Sequence, residues 1–320
     1  MPLPERELIR RIRAAAKNRL IGDDCAVLRP ARGHELLVTT DFSLEGTHFR
    51  REWHSAESVG HRCLARGLSD IAAMGGHPLA AFLSLALPSD LPQGWADGFL
   101  KGLLGLAKQH GVPLAGGDTA QSPAGVLADI VVVGSVPKGK AILRSGARAG
   151  DAIYVTGSLG GSAAALALLE QGRRLHARDF RQHYFPTPRI EVGRILREKK
   201  LASAMIDISD GLSVDLMHLC EESGVGAQLE QSAIPLAEIG RPAREVDLRF
   251  ALHGGEDYEL LFTAPRKRRI PAKLAGVPIT MIGFVTRDKH IFLVGPGGAG
   301  TELLPGGWEH FRTIRNSVAR

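Results

Sequence analysis

The sequence predicts an α/β or α+β fold, and two observations support this prediction. Short apolar segments of strand type alternate along the chain with longer segments of helical type, as they do in mixed α/β proteins. The composition of the 320 residues, 44% apolar and 23% charged with 38 glycines, is that of a globular protein with many tight turns. A chain of this length is expected to form one large or two medium domains.

The strand candidates are apolar segments bounded by turn residues, namely ELLVTTDF, FLSLALP, DIVVVGSV, DAIYVTG and MIDISD. The helix candidates carry alanine and leucine on one face, namely SVGHRCLARGLSDIAAMG, GWADGFLKGLLGLAKQHG and GSAAALALLEQG. A basic, turn-rich stretch, VPKGKAILRSGARAGD, separates two strand candidates at residues 136–151. We therefore expect one domain at 1–137 and a second at 138–320.

The net charge of +6 and the isoelectric point of 9.4 favour anionic ligands, among them nucleotides, phosphate esters and nucleic acids. Basic residues cluster at 266–269, but aromatic residues are only 5% and do not alternate with basic ones. A solvated basic face is thus favoured over a nucleic-acid surface.

The three cysteines lie far apart and form no CxxC pair, so neither a disulfide framework nor a zinc site is expected. No apolar run has the length of a membrane span, and the first residues lack the apolar centre of a signal peptide. We expect a cytoplasmic protein.

Aspartate recurs after short apolar segments, usually beside glycine or a hydroxyl residue, at Asp23, Asp24, Asp41, Asp70, Asp118, Asp207 and Asp210. Any one of them could be a helix cap or a turn residue. Converging carboxylates would raise one another's pKa, a problem that a divalent cation removes. Because Mg²⁺ prefers oxygen ligands and is often shared with phosphates, the pattern predicts a phosphate site with several Mg²⁺ ions. Arg144 and Arg148 could bind the phosphate oxygens.

The segment TGSLGGSAAALALLEQG runs from a strand through glycines into a helix. It could cradle a phosphate on helix N–H groups, or it could be a tight turn with close packing, which is the favoured interpretation. The chain has neither a Walker lysine motif nor the HRD and DFG motifs of protein kinases.

The order and wording of several motifs resemble the thiamine-monophosphate kinase family, which belongs with the aminoimidazole ribonucleotide and selenophosphate synthetases. The matching stretches are IGDDCAVL, TTDFSLEGTHF, LSDIAAMGGHP, AGGDT, RSGARAGDAIYVTG, PTPRI, IDISDGLSVDL, GGEDYELLF and GGWEHF. The resemblance implies transfer of the γ-phosphoryl group of ATP to thiamine monophosphate. It also implies a two-domain fold whose N-terminal sheet pairs with that of a second copy in a homodimer.

The resemblance further assigns roles to single residues. The implied magnesium ligands are Asp24, Thr40, Asp41, Asp70, Asp118, Asp207 and Asp210. The implied ATP contacts are Gly117, Asp118, Arg144 and Ser209. The implied contacts of the acceptor are His48, Glu256 and Trp308. Since the acceptor phosphate is largely a dianion at pH 7, we expect no side chain to act as a general base.

Two of these residues keep alternatives open. Trp308 could stack on the pyrimidine or lie beside the thiazolium cation, or it could be an aromatic residue of the core. His48 could bind the acceptor phosphate, hold a turn, or accept a phosphoryl group, the last being least favoured.

Gly67 departs from the family pattern, which commonly has asparagine there, and the segment 172–189 is unusually basic. Among related synthetases, the one that makes selenophosphate needs a reactive cysteine or selenocysteine in a glycine-rich N-terminal segment, and no cysteine precedes Cys25. A non-catalytic ATP-binding or nucleic-acid-binding protein is a further alternative, which the many acidic positions disfavour.

Overall fold

Two separate β-sheets organise the chain in the computed structural model, which describes residues 5–18, 20–21, 25–26 and 28–308. Asp23 and Asp24 lie outside the described residues. The elements of the first half are α1 (Glu5–Ala16), β1 (His34–Leu44), α2 (Ala56–Ala73), β2 (His77–Pro88), α3 (Gln93–His110), β3 (Leu114–Ser122) and β4 (Leu127–Pro137). Those of the middle are β5 (Asp151–Thr156), α4 (Gly161–Glu170), α5 (Arg181–Tyr184), α6 (Ile190–Glu198), β6 (Ala204–Ile208), α7 (Leu212–Ser223) and β7 (Gly226–Glu230).

The remaining elements complete the second sheet and its surroundings. They are β8 (Glu238–Ile239), β9 (Arg244–Glu245), α8 (Leu248–His253), β10 (Glu259–Pro265), β11 (Lys273–Leu274), β12 (Val277–Thr286), β13 (Ile291–Val294) and β14 (Gly300–Glu302). Among the described residues, no helix is long and apolar enough to span a membrane.

The first sheet has the strand order β1-β4-β2-β3, in which only β2 and β3 run parallel. Helices α2 and α3 pack against each other in the core under one face of it. Their backbones approach closely because a Cβ at Gly60 would lie 1.9 Å from the carbonyl oxygen of Phe99, and one at Gly102 would lie 1.8 Å from that of Glu57. Glycine at these two positions therefore sets the distance between the helices.

The opposite face of this sheet exposes apolar side chains along one of its edge strands. Along the edge strand β1, the alternating residues Leu36, Val38 and Phe42 are 51%, 68% and 56% exposed. Alternation of this kind normally directs apolar side chains into a core. Here they form a patch of the sort that marks a protein–protein interface.

The second sheet has the order β14-β13-β7-β12-β5-β10-β6, with β11 paired to β12. Helix α2 connects the two halves, because its second half contacts β6 and α6. A Cβ at Gly193 in α6 would lie 2.0 Å from the carbonyl oxygen of Ala72, so these two helices also touch through glycine. The functional cleft lies along this junction.

The five predicted strands and three predicted helices are all confirmed. The prediction that these aspartates follow the apolar segments is wrong for four of them: Asp41 lies inside β1, Asp118 inside β3, Asp207 inside β6 and Asp70 inside α2. The glycine-rich and polar sequence of β3 has little strand propensity. It forms an edge strand, where its polar side chains stay exposed.

Gly67 has a local structural explanation. It faces Val132 of β4, whose Cγ2 atom would lie 2.6 Å from a Cβ at position 67. The valine therefore occupies the space that an asparagine side chain would need. A larger residue at 67 requires a smaller one at 132, because close-packed cores do not absorb added atoms.

Candidate active site

A cleft of about 860 Å³ lies between the two halves, a size usual for small-molecule sites. It brings together nine of the residues that the sequence singled out, from five separate stretches of the chain. They are Thr40, Asp41, His48, Asp70, Asp207, Ser209, Asp210, Glu256 and Trp308. Residues up to 268 positions apart in sequence thus share one cavity wall.

Four other predicted residues are placed differently. Gly117 and Asp118 lie on β3, at the sheet edge opposite to β1. Arg144 is exposed, and it lies near enough to the acidic residues for its positive charge to oppose the rise that burial causes in the pKa of Asp70. Asp24 is outside the described residues.

Carboxylates line one end of the cleft. The hydroxyl of Thr39 donates to Asp70, and Ser69 Oγ donates to Asp207 Oδ2 at 2.6 Å. Asp41 Oδ2 is buried and has no hydrogen-bond donor among the described residues. A buried carboxylate oxygen without a partner is costly, so this end of the cleft suits a cation.

The electrostatics of this end point the same way. Burial, and then the charge of Asp70, raise the pKa of Asp41 to about 7. Burial and Asp70 also raise the pKa of Asp207 well above its usual value. Within the described residues, no three acidic, histidine or cysteine side chains already stand in a metal-holding arrangement. A bound cation would therefore have to draw these carboxylates together.

Two arginines lie at the middle of the cleft, where Arg66 lines the cavity and Arg62 is buried behind its wall. Arg62 and Arg66, one turn apart on α2, each bind one oxygen of the Glu256 carboxylate. Burial raises the pKa of Glu256, but the two guanidinium groups outweigh it and lower the pKa to about 2. Glu256 has a φ of 67°, and its N–H donates to the carbonyl of Ser209 at 2.8 Å. Backbone strain of this kind concentrates at functional sites.

His48 and Trp308 complete the wall. The N–H of Leu44 donates to His48 Nδ1 at 3.0 Å, so the neutral ring carries its proton on Nε2. Trp308 is 52% exposed at the rim, where its backbone N–H donates to the carbonyl of Asp210 at 3.1 Å. These positions exclude the interpretation of Trp308 as an aromatic residue of the core.

The groups that form the cleft lie at different levels along the axis of α2. At 1.5 Å per residue, the level of Asp70 lies about 12 Å from that of Arg62 and about 20 Å from the start of the helix. Carboxylates thus occupy one end and the arginine–glutamate group the middle. His54 and His183 lie at the far end, beside the N-terminus of α2.

Residues 22–136 match the family described as AIR synthase related protein, N-terminal domain, and residues 148–295 match its C-terminal domain. The chain is 40% identical to the thiamine-monophosphate kinase of Escherichia coli K12 over 306 residues, covering 92% of each protein. The chain belongs to the thiamine-monophosphate kinase family. Its two-domain architecture is the one shared by AIR synthase-like proteins.

Solved structures of the family agree. The thiamine-monophosphate kinase of Stenotrophomonas maltophilia is 36% identical, with a TM-score of 0.81 and coverage of 92% of this chain and 96% of that one. The structure described as AaThiL complexed with AMPPCP and TMP is 34% identical, with a TM-score of 0.77 and coverage of 96% and 97%. Hydrogenase maturation protein HypE in complex with ATP shares the fold, at 19% identity and a TM-score of 0.80.

The sequence analysis of this thiamine-monophosphate kinase family member did not identify the arginine pair, Arg62 and Arg66. Arg62 and Arg66 lie within a helix pattern that reads as core, and their partner Glu256 is 194 and 190 residues away. Their i, i+4 spacing was the available signal, because it places two cations on one helix face.

The glycine segment after β5 is a tight turn, which confirms the favoured interpretation. Gly157 and Gly160 have positive φ values of 59° and 86°. The N–H of Gly160, at the start of α4, donates to Asp257 Oδ2 at 2.7 Å. A carboxylate of the protein itself therefore occupies the position at which a phosphate would bind.

Replacing Asp257 by asparagine should change how stability depends on pH. Burial raises the pKa of Asp257 to about 8, whereas an unfolded aspartate titrates near 3.9. The folded wild type thus holds an extra proton between these values, and its contribution to stability is present at low pH and lost as pH rises towards 8. Relative to wild type, Asp257→Asn should gain about 1.4 kcal/mol in free energy of unfolding per pH unit.

Urea unfolding of both proteins at pH 5, 6, 7 and 8 measures this difference. Parallel stability profiles would show that Asp257 is ionised in the folded state throughout this range.

Proposed function

We propose that this protein transfers the γ-phosphoryl group of ATP to thiamine monophosphate, giving thiamine diphosphate and ADP. The observation that carries the proposal is the cleft that brings the acidic residues, His48, Glu256 and Trp308 of the predicted site together with Arg66. Proteins that match this chain over nearly its whole length are named thiamine-monophosphate kinase. One of the matching structures is described in complex with AMPPCP, an ATP analogue, and TMP. The charged and aromatic residues of the cleft thus match the phosphates and the rings of these substrates.

The order of residues along α2 supports an arrangement of the two substrates in the cleft. The polyphosphate of ATP belongs at the acidic end and the acceptor phosphate beside Arg66, the arginine that lines the cleft. Mg²⁺, when bound there, screens the charge between the two anions and aligns the transferred group. Asp41, Asp70, Asp207 and Asp210 are the ligands we propose for it, and the unpartnered Asp41 Oδ2 supports this assignment.

The cleft needs no base for this reaction. The acceptor phosphate is already a dianion, so its oxygen is the nucleophile without proton removal. The work left to the protein is to bring two anions together, in line and without water between them. His48, with its Nε2 proton, is suited to donate a hydrogen bond to the acceptor phosphate.

We further propose that the protein acts as a homodimer. Asp118 and Gly117 lie three strand spacings from β1, about 14 Å, which is too far to share a metal ion with Asp41 in one chain. A two-fold pair that joins β1 to the partner's β3 would cover the apolar patch of Leu36, Val38 and Phe42. It would also bring the partner's Asp118 and Gly117 to the cleft.

The division of the chain after residue 137 is part of the proposal. Strand β4 ends at Pro137, β5 begins at Asp151, and the two family matches end at 136 and resume at 148.

A turnover assay tests the activity. Purified protein, Mg²⁺-ATP and thiamine monophosphate are mixed and thiamine diphosphate is followed by chromatography, with free thiamine as a parallel acceptor. We expect product from the monophosphate alone, because free thiamine offers a hydroxyl that the site has no base to activate. Absence of product while AMPPCP still binds would reject the acceptor and leave a nucleotide site.

A further inference from the structure

The far end of the cleft is built from three buried polar side chains that the proposed chemistry does not use. His54, His183 and Ser162 are 3%, 1% and 2% exposed, and all three line the cleft. They come from the loop before α2, from α5 and from the start of α4. Two of these segments are the basic stretch and the glycine-rich turn that sequence reasoning left without a function.

His54, His183 and Ser162 are linked by hydrogen bonds into one series, which we call the histidine relay. His54 Nε2 lies 3.0 Å from His183 Nε2, and His183 Nδ1 lies 3.0 Å from Ser162 Oγ. At the other end, His54 Nδ1 lies 3.3 Å from the backbone nitrogen of Arg50 and 3.1 Å from its carbonyl oxygen. The backbone of Arg50 therefore offers His54 both a hydrogen-bond donor and a hydrogen-bond acceptor.

This arrangement permits two senses of hydrogen bonding. In one, the Arg50 N–H donates to His54, His54 to His183 and His183 to Ser162, which leaves the hydroxyl hydrogen of Ser162 for the cleft. In the other, Ser162 donates to His183, His183 to His54 and His54 to the Arg50 carbonyl, which leaves Ser162 oxygen as an acceptor. Each sense satisfies every ring nitrogen with neutral rings, and Arg62 Nη1, 3.5 Å from His183 Nδ1, favours the second sense, in which that nitrogen accepts.

The surroundings keep the two histidines uncharged, and the wall beside them suits a ring. Burial, and then the charge of Arg62, lower the pKa of His54 to about 4, and the same two causes lower the pKa of His183. Phe49, Trp53 and Leu166 line the same cleft. A flat neutral heterocycle fits such a wall, because the charge of Arg62 is paired with Glu256 through Nη2, while its Nη1 donates to the backbone carbonyl of His183.

We propose that Ser162, oriented by His183 and His54, is the residue that recognises the polar edge of the acceptor's aminopyrimidine ring. This inference rests on the proposed function. The aminopyrimidine edge carries an amino donor beside a ring-nitrogen acceptor, and a hydroxyl that can donate or accept matches either. The thiazolium ring has no such edge, so the histidine relay places the pyrimidine at this end and the phosphate towards Arg66.

The test compares two acceptors in each protein: thiamine monophosphate and its analogue with a benzyl group in place of the aminopyrimidine. The two share phosphate, thiazolium and ring shape, and differ in the polar edge. For the wild type we expect kcat/KM to favour thiamine monophosphate at least 10-fold. Ser162→Ala should raise KM for thiamine monophosphate about 10-fold with little change in kcat, and leave the benzyl acceptor unchanged, so that the preference disappears.

Two further variants separate recognition from packing. Ser162→Thr keeps the hydroxyl and should retain the preference. Ser158→Ala is the matched control, because Ser158 lies on the same turn and its hydroxyl accepts a hydrogen bond from Gln182 instead. A preference that survives Ser162→Ala, or an equal loss for both acceptors, would overturn this inference alone. A wild type that phosphorylates neither acceptor would overturn the proposed function and this inference with it.

Discussion

Replacing Asp207 by asparagine is expected to lower kcat about 10³-fold without destabilising the fold. Asp207 is buried at the end of β6, and the hydrogen bond from Ser69 can be made to an amide oxygen as well. The substitution removes one of several mutually repelling carboxylates, so the metal-free protein should become equally or more stable. It also removes a charge that the reaction needs, and a loss of about 4 kcal/mol in transition-state stabilisation is of the size expected.

The measurements are kcat at saturating ATP, thiamine monophosphate and Mg²⁺, and urea unfolding without Mg²⁺. Asp90→Asn, on the exposed turn after β2, is the control and should change neither quantity. A near-normal kcat at high Mg²⁺ would remove Asp207 from the set of metal ligands. A large loss of stability would instead assign it a structural role.

Placing a charge in the apolar patch should have the second large effect. Val38→Asp puts a carboxylate between Leu36 and Phe42 in the exposed apolar patch of the edge strand β1, where a partner would bury it. We expect a monomer in sedimentation and a fall in kcat/KM of more than about 100-fold, because the partner's Asp118 is then missing from the cleft. A fully active monomer would refute the shared site.

Mixing two inactive variants tests whether the partner's Asp118 acts in the cleft, without disturbing the interface. Asp118→Asn and Asp207→Asn should each be inactive, but their mixed dimer has one cleft in which both carboxylates are intact. If the chains reassort at random, about a quarter of wild-type activity should return. If the mixture remains inactive although mixed dimers form, Asp118 does not act across the interface.

The sequence was sufficient for the elements whose own residues determine them. Strand β4 is a run of valine and isoleucine, and α2 and α3 show helical periodicity, so each is recognisable without the rest of the chain. Strand β3 is not, because glycine and polar residues become a strand only where β2 offers an edge.

The acidic half of the site was likewise visible, because helix caps and turns seldom account for so many carboxylates beside apolar segments. The histidine relay was not, because His54 and His183 are 129 residues apart and each alone resembles an ordinary buried histidine. What makes them a unit is the packing of α5 against the start of α2, a tertiary contact without a local pattern.

The position of α2 between the two halves also governs when the site can form during synthesis. Arg66 is synthesised 190 residues before Glu256, a delay of roughly 10–40 s at about 5–20 residues per second. In that interval the first sheet and its helices can fold, but the two arginines face water and the second wall of the cleft does not yet exist. The cleft therefore assembles only after both halves of the chain have been synthesised and have packed against α2.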